Sequence, residues 1–301
     1  MRHYYTLGDN RYLPQLHTLL DSVRKNFKED HKFHVLALDQ KTHASLSGRT
    51  GDFLEVYSTD QVNEDFELRS LKHLQPSREA VSNATSSGKD PQHVQYCWAL
   101  SSCFGNWLME KHSCPLTYVD ADLMFYSDMN DFFNELGDGS IGLVRHRIPY
   151  LYGSGEYNVG IVHFKSDGPG KSALRRWSQM MKNPQNSYSL GFGSCGDQKY
   201  LEIIQQIYRD DVVIVDENFG HLAPWNVTQH GYEDDRIVWQ DRRQKLTYFH
   251  FAHFVLQEEG YRASYANEWI WGDPLKVGPF VRRLYEDYHE NMRRNSMVNP
   301  K

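Results

Sequence analysis

Asp120 and Asp122 stand two residues apart at the end of a short apolar run, Leu116-Thr117-Tyr118-Val119. In an extended segment, side chains two apart project to the same side, so both carboxylates can face one ion across about 7 Å of chain while Ala121 faces away. Carboxylate oxygens suit a hard divalent cation such as Mg²⁺ or Mn²⁺, which keeps positions open for phosphate oxygens. The same two acids could equally end a strand and cap the following turn, and Asp-x-Asp alone is a common triplet. Their surroundings must decide.

The periodicity of the flanking sequence predicts alternating strands and helices. Tyr4 to Leu7 reads as a strand, Gly8-Asp9-Asn10 as its turn, and Leu13 to Phe27 as a helix with Leu16, Leu19, Leu20 and Val23 on one side. Further strands are expected at Phe33 to Leu38, Phe53 to Tyr57, Leu116 to Val119, Ile141 to Val144, Val159 to Phe164, Val212 to Val215 and Leu246 to Phe251. Helices are expected at His93 to Lys111, Lys171 to Met181, Asp197 to Tyr208 and Phe280 to Arg293. The polar stretch from Ser82 to Gln92 reads as a surface loop. Strands alternating with helices imply an α/β sheet covered on both faces, in which ligands bind at the carboxyl ends of the strands. Asp120 and Asp122 occupy such an end.

Composition narrows the classes. A chain of 301 residues, 40% hydrophobic and 14% aromatic, can bury a sizeable core. No segment approaches the roughly 18 to 20 unbroken apolar residues of a membrane-spanning helix, and the start lacks a secretory signal pattern, so a soluble, cytoplasmic protein is expected. The net charge of −6 argues against a general nucleic-acid binder, although a metal ion can neutralise a single diphosphate locally. The four cysteines, Cys97, Cys103, Cys114 and Cys195, show no C-x-x-C spacing and read as buried free thiols.

The segments YVDADLMFYSD, YNVGIVHFK, GDQKYL, LAPWN and FHF occur in that order between Tyr96 and Phe254. In them the chain resembles the retaining glycosyltransferases related to galactosyltransferases and glycogenin, and more closely a bacterial group of nucleotide-diphospho-sugar transferases. The resemblance implies a GT-A fold: a single α/β domain, here residues 1–279, with a mainly parallel central sheet and a C-terminal helix and tail at 280–301. It implies a metal-dependent glycosyltransferase that uses Mn²⁺ or Mg²⁺ and a UDP-sugar, with Asp120, Asp122 and His250 as metal ligands and His253 as the rival third ligand. Thr6, Asp9 and Tyr12 match the first-strand nucleotide contacts, Asp120 also meets the donor, and Asn158 is placed to bond a sugar hydroxyl. Asp197 and Gln198 lie in the loop expected beside the anomeric carbon, and Asp197 also reads as an N-cap, a role compatible with sugar contact. Trp225 and Asn226 offer an aromatic plane and an amide suited to an acceptor sugar, or to a packed loop.

Two features depart from that pattern. The arginine that precedes the D-x-D strand in these enzymes is replaced by the Tyr96-Cys97-Trp98 segment, and the Lys-Pro-Trp after the metal histidine by Phe254-Val255-Leu256. Diphosphate charge must be met elsewhere; Arg145, His146 and Arg147 are candidates. The resemblance leans toward retention and toward a glycan or lipid-linked acceptor in bacterial surface polysaccharide synthesis. A sugar-1-phosphate nucleotidyltransferase is an alternative, although Gly8-Asp9-Asn10-Arg11 matches its triphosphate loop poorly, and so is a non-catalytic nucleotide-sugar-binding module. The apolar stripe Phe280, Val281, Leu284, Tyr285 and Tyr288 either packs on the domain or, with the arginines beside it, makes a weak peripheral membrane contact.

Overall fold

The computed structural model describes residues 1–49, 52–63, 66–148, 155–183, 196–263 and 273–298. Strands β1 (Arg2–Gly8) and β2 (His31–Ala37) run parallel, with Tyr4 beside Phe33, and helix α1 (Leu13–Asn26) joins them. Pro14 is tolerated in the first turn of α1, where an amide hydrogen has no helical partner, and Leu16, Leu19, Leu20 and Val23 form its buried face. After α2 (Gln40–Ser47), strand β3 (Leu54–Ser58) extends the parallel sheet beyond β2. Two short helices follow, α3 (Thr59–Asn63) and α4 (Phe66–Ser70).

The polar stretch expected to be a loop is instead two helices and a tight turn. Helix α5 (Arg78–Ser87) starts at Ser77, whose hydroxyl accepts from Ala80 N, and ends at Gly88 with φ of 67°. Helix α6 (Pro91–His112) starts at Asp90, which accepts from Gln92 N. Of the residues that suggested a loop, Gly88 and Asp90 are therefore helix caps, whereas the serines lie within α5. The buried face of α5 consists of Ala80 and Ala84 against Val94, side chains too small to show an apolar period.

Strand β4 (Leu116–Val119) pairs parallel with the free edge of β1. It delivers Asp120, and the chain then turns into β5 (Leu123–Phe125), which belongs to a second sheet. Beyond α7 (Asn130–Leu136), β6 (Ile141–Arg145) and β7 (Tyr157–Phe164) return as an antiparallel pair, with β7 antiparallel to β4. Helices α8 (Gly168–Met181) and α9 (Tyr200–Ile207) lead to β8 (Val212–Ile214), parallel to β6. The main sheet has the order β3-β2-β1-β4-β7-β6-β8. Tyr5 and Leu7 face the core built with α6 and α8, whereas the alternate residue Tyr4 faces α1.

The second sheet joins β10 (Gly231–Glu233), β11 (Arg236–Trp239), β12 (Arg242–His250) and β5, with β9 (Gly220–Leu222) also beside β12. His250, the last residue of β12, lies opposite Leu123. A hairpin of β13 (Val255–Leu256) and β14 (Tyr261–Arg262) follows.

Helix α10 (Pro279–Val298) covers this second sheet. Val281, Leu284, Tyr285, Tyr288 and Met292 are buried, and the Tyr288 ring stacks on Phe251 at 3.8 Å. Each such side chain contributes on the order of 1.5–3 kcal/mol through burial. The stripe is therefore occupied by packing and is not presented to a lipid surface. No helix among the described residues is long and apolar enough to cross a membrane. Cys97, Cys103 and Cys114 are free thiols, and Cys195 lies outside the described residues.

Candidate active site

Asp120, Ala121 and Asp122 link the two sheets. Asp120 N donates to Gly160 O at 3.0 Å, which fastens the link to β7, and Phe251 N donates to Asp122 O at 2.9 Å, which fastens it to the end of β12. Ala121 and Asp122 form a turn and not the extended segment anticipated, so it is the turn that aims the two carboxylates. His250 Nε2 lies 3.0 Å from Asp122 Oδ1 and 3.6 Å from Asp120 Oδ2. One ligating atom from each of the three residues lies within 4.8 Å of the others.

The electrostatics of this triad favour a positive charge at its centre. Burial disfavours a charged imidazole, yet the Asp122 and Asp120 carboxylates outweigh it and hold the His250 pKa above its ordinary value. Burial raises the Asp120 pKa, with His250 and the Tyr118 hydroxyl, 2.7 Å from Oδ1, acting in opposition. For Asp122 burial acts in the same upward direction, but His250 outweighs it and the pKa is lowered. Two carboxylates and an imidazole nitrogen that draw a proton between them also fit a divalent cation in place of that proton. His250 Nδ1 is buried with no hydrogen-bond partner among the described residues, and the ring is held by packing: Trp225 meets it edge-on at 5.2 Å.

The triad forms one wall of a cleft of about 680 Å³ at the carboxyl ends of β1 and β4. The cleft is also lined by Asp9, Tyr12, Asn158, Asp197, Gln198 and Trp225. Asp9 caps the turn Asn10–Tyr12 and bonds Arg11 and His93; although burial raises its pKa, those hydrogen bonds win and hold it well below the usual carboxylate range. The Tyr12 hydroxyl accepts from Lys89 Nζ at 2.7 Å. His146 Nδ1 donates to Gly155 O, which leaves Nε2 to accept from Asn158 Nδ2 at 3.2 Å; Gln198 Oε1 lies 3.1 Å from the same nitrogen but, as an acceptor, does not bond it in that tautomer. Asn158, Gln198 and Trp225 are thus gathered around one histidine, whose pKa burial lowers to about 4.

Several expectations need correction. Thr6 is fully buried and does not line the cleft, because β1 turns that side chain into the core. Asn226 is also fully buried and is used internally, with Oδ1 accepting from Ala223 N and Nδ2 donating to His146 O. Asp197 does not cap α9; the cap position is Lys199, and Asp197 lies in the preceding turn, where its carbonyl accepts from Trp177 Nε1. Gly193, Ser194 and Cys195 lie outside the described residues. His253 lines the cleft at φ of 61° but is not part of the triad.

Arg145 and Arg147 do not line the cleft. Arg145 pairs with Glu156 and Asp216, and Arg147 is buried against Asp216. The cations that do line it are Arg11, committed to Asp9, and Lys89 and Arg262, which have no carboxylate partner among the described residues. Neither Lys89 nor Arg262 was evident as a site residue. The only signal for Lys89 was a lysine in a polar stretch, and Arg262 reaches the cleft only because the β13–β14 hairpin folds toward it.

No family model matches the chain. It is 27% identical over 306 aligned positions to the uncharacterized protein YfnF of Bacillus subtilis (strain 168), covering 94% of this chain and 90% of YfnF. It is 24% identical over 309 positions to YfnD of the same organism, covering 97% and 89%. Among solved structures it is similar to mouse xyloside xylosyltransferase 1 in its apo form, with a TM-score of 0.53, 15% identity, and 83% of this chain and 97% of that one covered. It is also similar to the galactosyltransferase LgtC in complex with donor and acceptor sugar analogues, with a TM-score of 0.52, 13% identity, and 97% and 95% covered. The chain therefore has the α/β fold of GT-A glycosyltransferases, with a mainly parallel central sheet.

Proposed function

We propose that this chain is a metal-dependent glycosyltransferase that moves a sugar from a nucleotide-diphosphate donor, a UDP-sugar, to a glycan or lipid-linked acceptor. The observation that carries the reading is the convergence of Asp120, Asp122 and His250 on the wall of a strand-end cleft. LgtC, crystallised with donor and acceptor sugar analogues, has a similar fold and supports the same reading. Asp120, Asp122 and His250 would hold Mn²⁺ or Mg²⁺. Such an ion, when bound, stabilises charge on the departing diphosphate.

The remaining roles follow from what each side chain presents to the cleft. Tyr12 and Asp9 face the nucleotide, and Lys89 supplies the diphosphate cation in place of the missing arginine. Asn158 and Trp225 meet sugar, with Asn158 oriented by neutral His146. Asp197 and Gln198 stand beside the anomeric carbon. In the retaining course, the bond from that carbon to the phosphate oxygen breaks, and the acceptor oxygen bonds the same face. The hydroxyl proton passes to the departing diphosphate. The relatives in Bacillus subtilis support a bacterial setting, and a place in surface polysaccharide synthesis is proposed from the sequence resemblance alone.

The test is incubation with a panel of UDP-sugars and Mn²⁺, with and without acceptor glycans, followed by assay of free UDP. UDP release that rises with acceptor is expected. Donor binding without any release would indicate a binding module, pyrophosphate release from UTP and a sugar 1-phosphate would indicate a nucleotidyltransferase, and no nucleotide binding would overturn all three readings.

A further inference from the structure

Outside the cleft lining, His34 at the middle of β2, Glu55 on β3 and His112 on α6 each offer a ligating atom, all within 4.8 Å of one another. His34 and Glu55 are register partners on adjacent parallel strands, Tyr57 follows two residues after Glu55 on the same face, and His112 is the last residue of α6. We propose that this cluster is a second metal site, for a transition-metal ion such as Zn²⁺, which ties the end of α6 to the β2–β3 edge.

The donor set differs in kind from that of the cleft. Two imidazoles and one carboxylate suit Zn²⁺, whereas two carboxylates and one imidazole suit a harder ion. His34 is buried between His3 and Tyr57. His34 Nε2 lies 3.0 Å from His3 Nδ1, and the two rings stack at 5.3 Å. With Nε2–H donating to His3, the lone pair of His34 Nδ1 points toward Glu55 Oε2, 3.6 Å away. A partner on the outer nitrogen that sets tautomer and orientation is the usual support of a metal-bound imidazole.

Hydrogen counting leaves this tautomer short. The Tyr57 hydroxyl lies 3.3 Å from His34 Nδ1 and 2.9 Å from His112 Nε2. When both nitrogens present lone pairs, its single hydrogen cannot serve them and the Glu55 carboxylate together, and in that tautomeric state a cation answers the lone pairs that remain. Ligands on one tetrahedral Zn²⁺ stand about 3.3 Å apart, so the His34–Glu55 spacing already suits it and the widest spacing requires a shift of about 1 to 1.5 Å. Glu55 and His112, which are only partly buried, can make that shift. Helix carbonyls at the end of α6 also favour a cation. Lys111, whose ammonium lies 4.9 Å from the Tyr57 ring centroid, opposes it, so affinity rests on the lone pairs and not on net charge.

The experiment titrates untagged full-length protein with Zn²⁺ by calorimetry, using Asp122→Ala to remove the cleft triad. Asp122→Ala is expected to retain one Zn²⁺ per chain and to melt at a higher temperature with Zn²⁺ than without. Adding His112→Ala or Glu55→Gln, both at partly exposed positions, is expected to weaken that site about 10- to 100-fold or more. Each of these two changes made alone is expected to leave Mn²⁺-dependent nucleotide binding unchanged. Zn²⁺ binding by Asp122→Ala that neither added change affects, or no Zn²⁺ binding at all, overturns the proposal and leaves the cluster as a hydrogen-bonded network centred on Tyr57.

Discussion

A β-carbon on Gly160 would stand 2.9 Å from His250 Nδ1. The bare backbone of β7 is what allows the β12 imidazole to lie against the main sheet beside Asp120 and Asp122. The same β-carbon would stand 2.5 Å from Asn158 Oδ1, which accepts from Gly160 N. Gly160→Ala should displace both side chains and lower Mn²⁺ affinity about 10- to 100-fold. Its stability cost should stay near the 1–3 kcal/mol typical of overpacking. Calorimetric titration at a temperature where the variant is folded checks this; wild-type Mn²⁺ affinity would contradict it.

Asp122→Ala should abolish metal-dependent nucleotide binding with the fold intact, because the lost group is a charged ligand at the cleft and not a core contact. Asp120→Asn should impair binding less, since an amide oxygen remains. His250→Ala should weaken Mn²⁺ binding and His253→Ala should not, because only His250 faces both carboxylates. If the two histidine variants titrate alike, the third ligand is misassigned.

Lys89→Ala should weaken UDP binding about tenfold while uridine binding changes little, as expected for one charge-assisted contact to phosphate. Fluorescence or calorimetric titration with the two ligands separates a phosphate contact from a base contact. Equal losses for both would place Lys89 with Tyr12 at the nucleoside.

The β6 end is locked by a buried ion pair. Arg147 donates to Asp216 Oδ1 at 2.7 Å, to Asp216 O at 2.8 Å and to Gln244 Oε1 at 3.1 Å, and its guanidinium lies 4.9 Å from the Trp239 ring centroid. Arg147→Met should cost about 3–5 kcal/mol, because it leaves the Asp216 carboxylate poorly matched in a nearly buried place. Lysine should not restore the loss, since it lacks the planar fork. Urea denaturation is the check.

Stability should fall with acid between about pH 6.5 and 4. Burial lowers the pKa of His163 to about 3 and of His230 to about 4, from an ordinary 6.5. In that window the unfolded chain binds protons that the folded chain refuses, so each contribution is complete above 6.5 and is lost as pH falls toward the folded value. The slope is at most about 1.4 kcal/mol per pH unit for each histidine. His163→Gln should flatten the profile measured by urea midpoints, and an unchanged slope would exclude His163 as a source.

Much of this protein was determined by the sequence itself. The three-four spacing of Leu16, Leu19, Leu20 and Val23, and the short apolar runs at Tyr4, Phe33 and Leu116, specify α1 and the parallel strands because local periodicity decides which face can be buried. The position of Asp120 and Asp122 after such a run places them at a strand end. What only the tertiary structure decided depends on partners distant in the chain. The strand that ends at His250 was legible, but its partners β9, β10 and β11 escaped notice because they are short or partly charged, and only the assembled sheet brings His250 to Asp122. Alanines hid α5, and caps looked like loop residues. Thr6 and Asn226 have the chemistry of ligand contacts, but the strand pleat and internal hydrogen bonds turn them inward. Gly160 has no side chain to signal its role. Its importance appears only when β7 and β12 meet, because close approach is a property of two segments and not of either one.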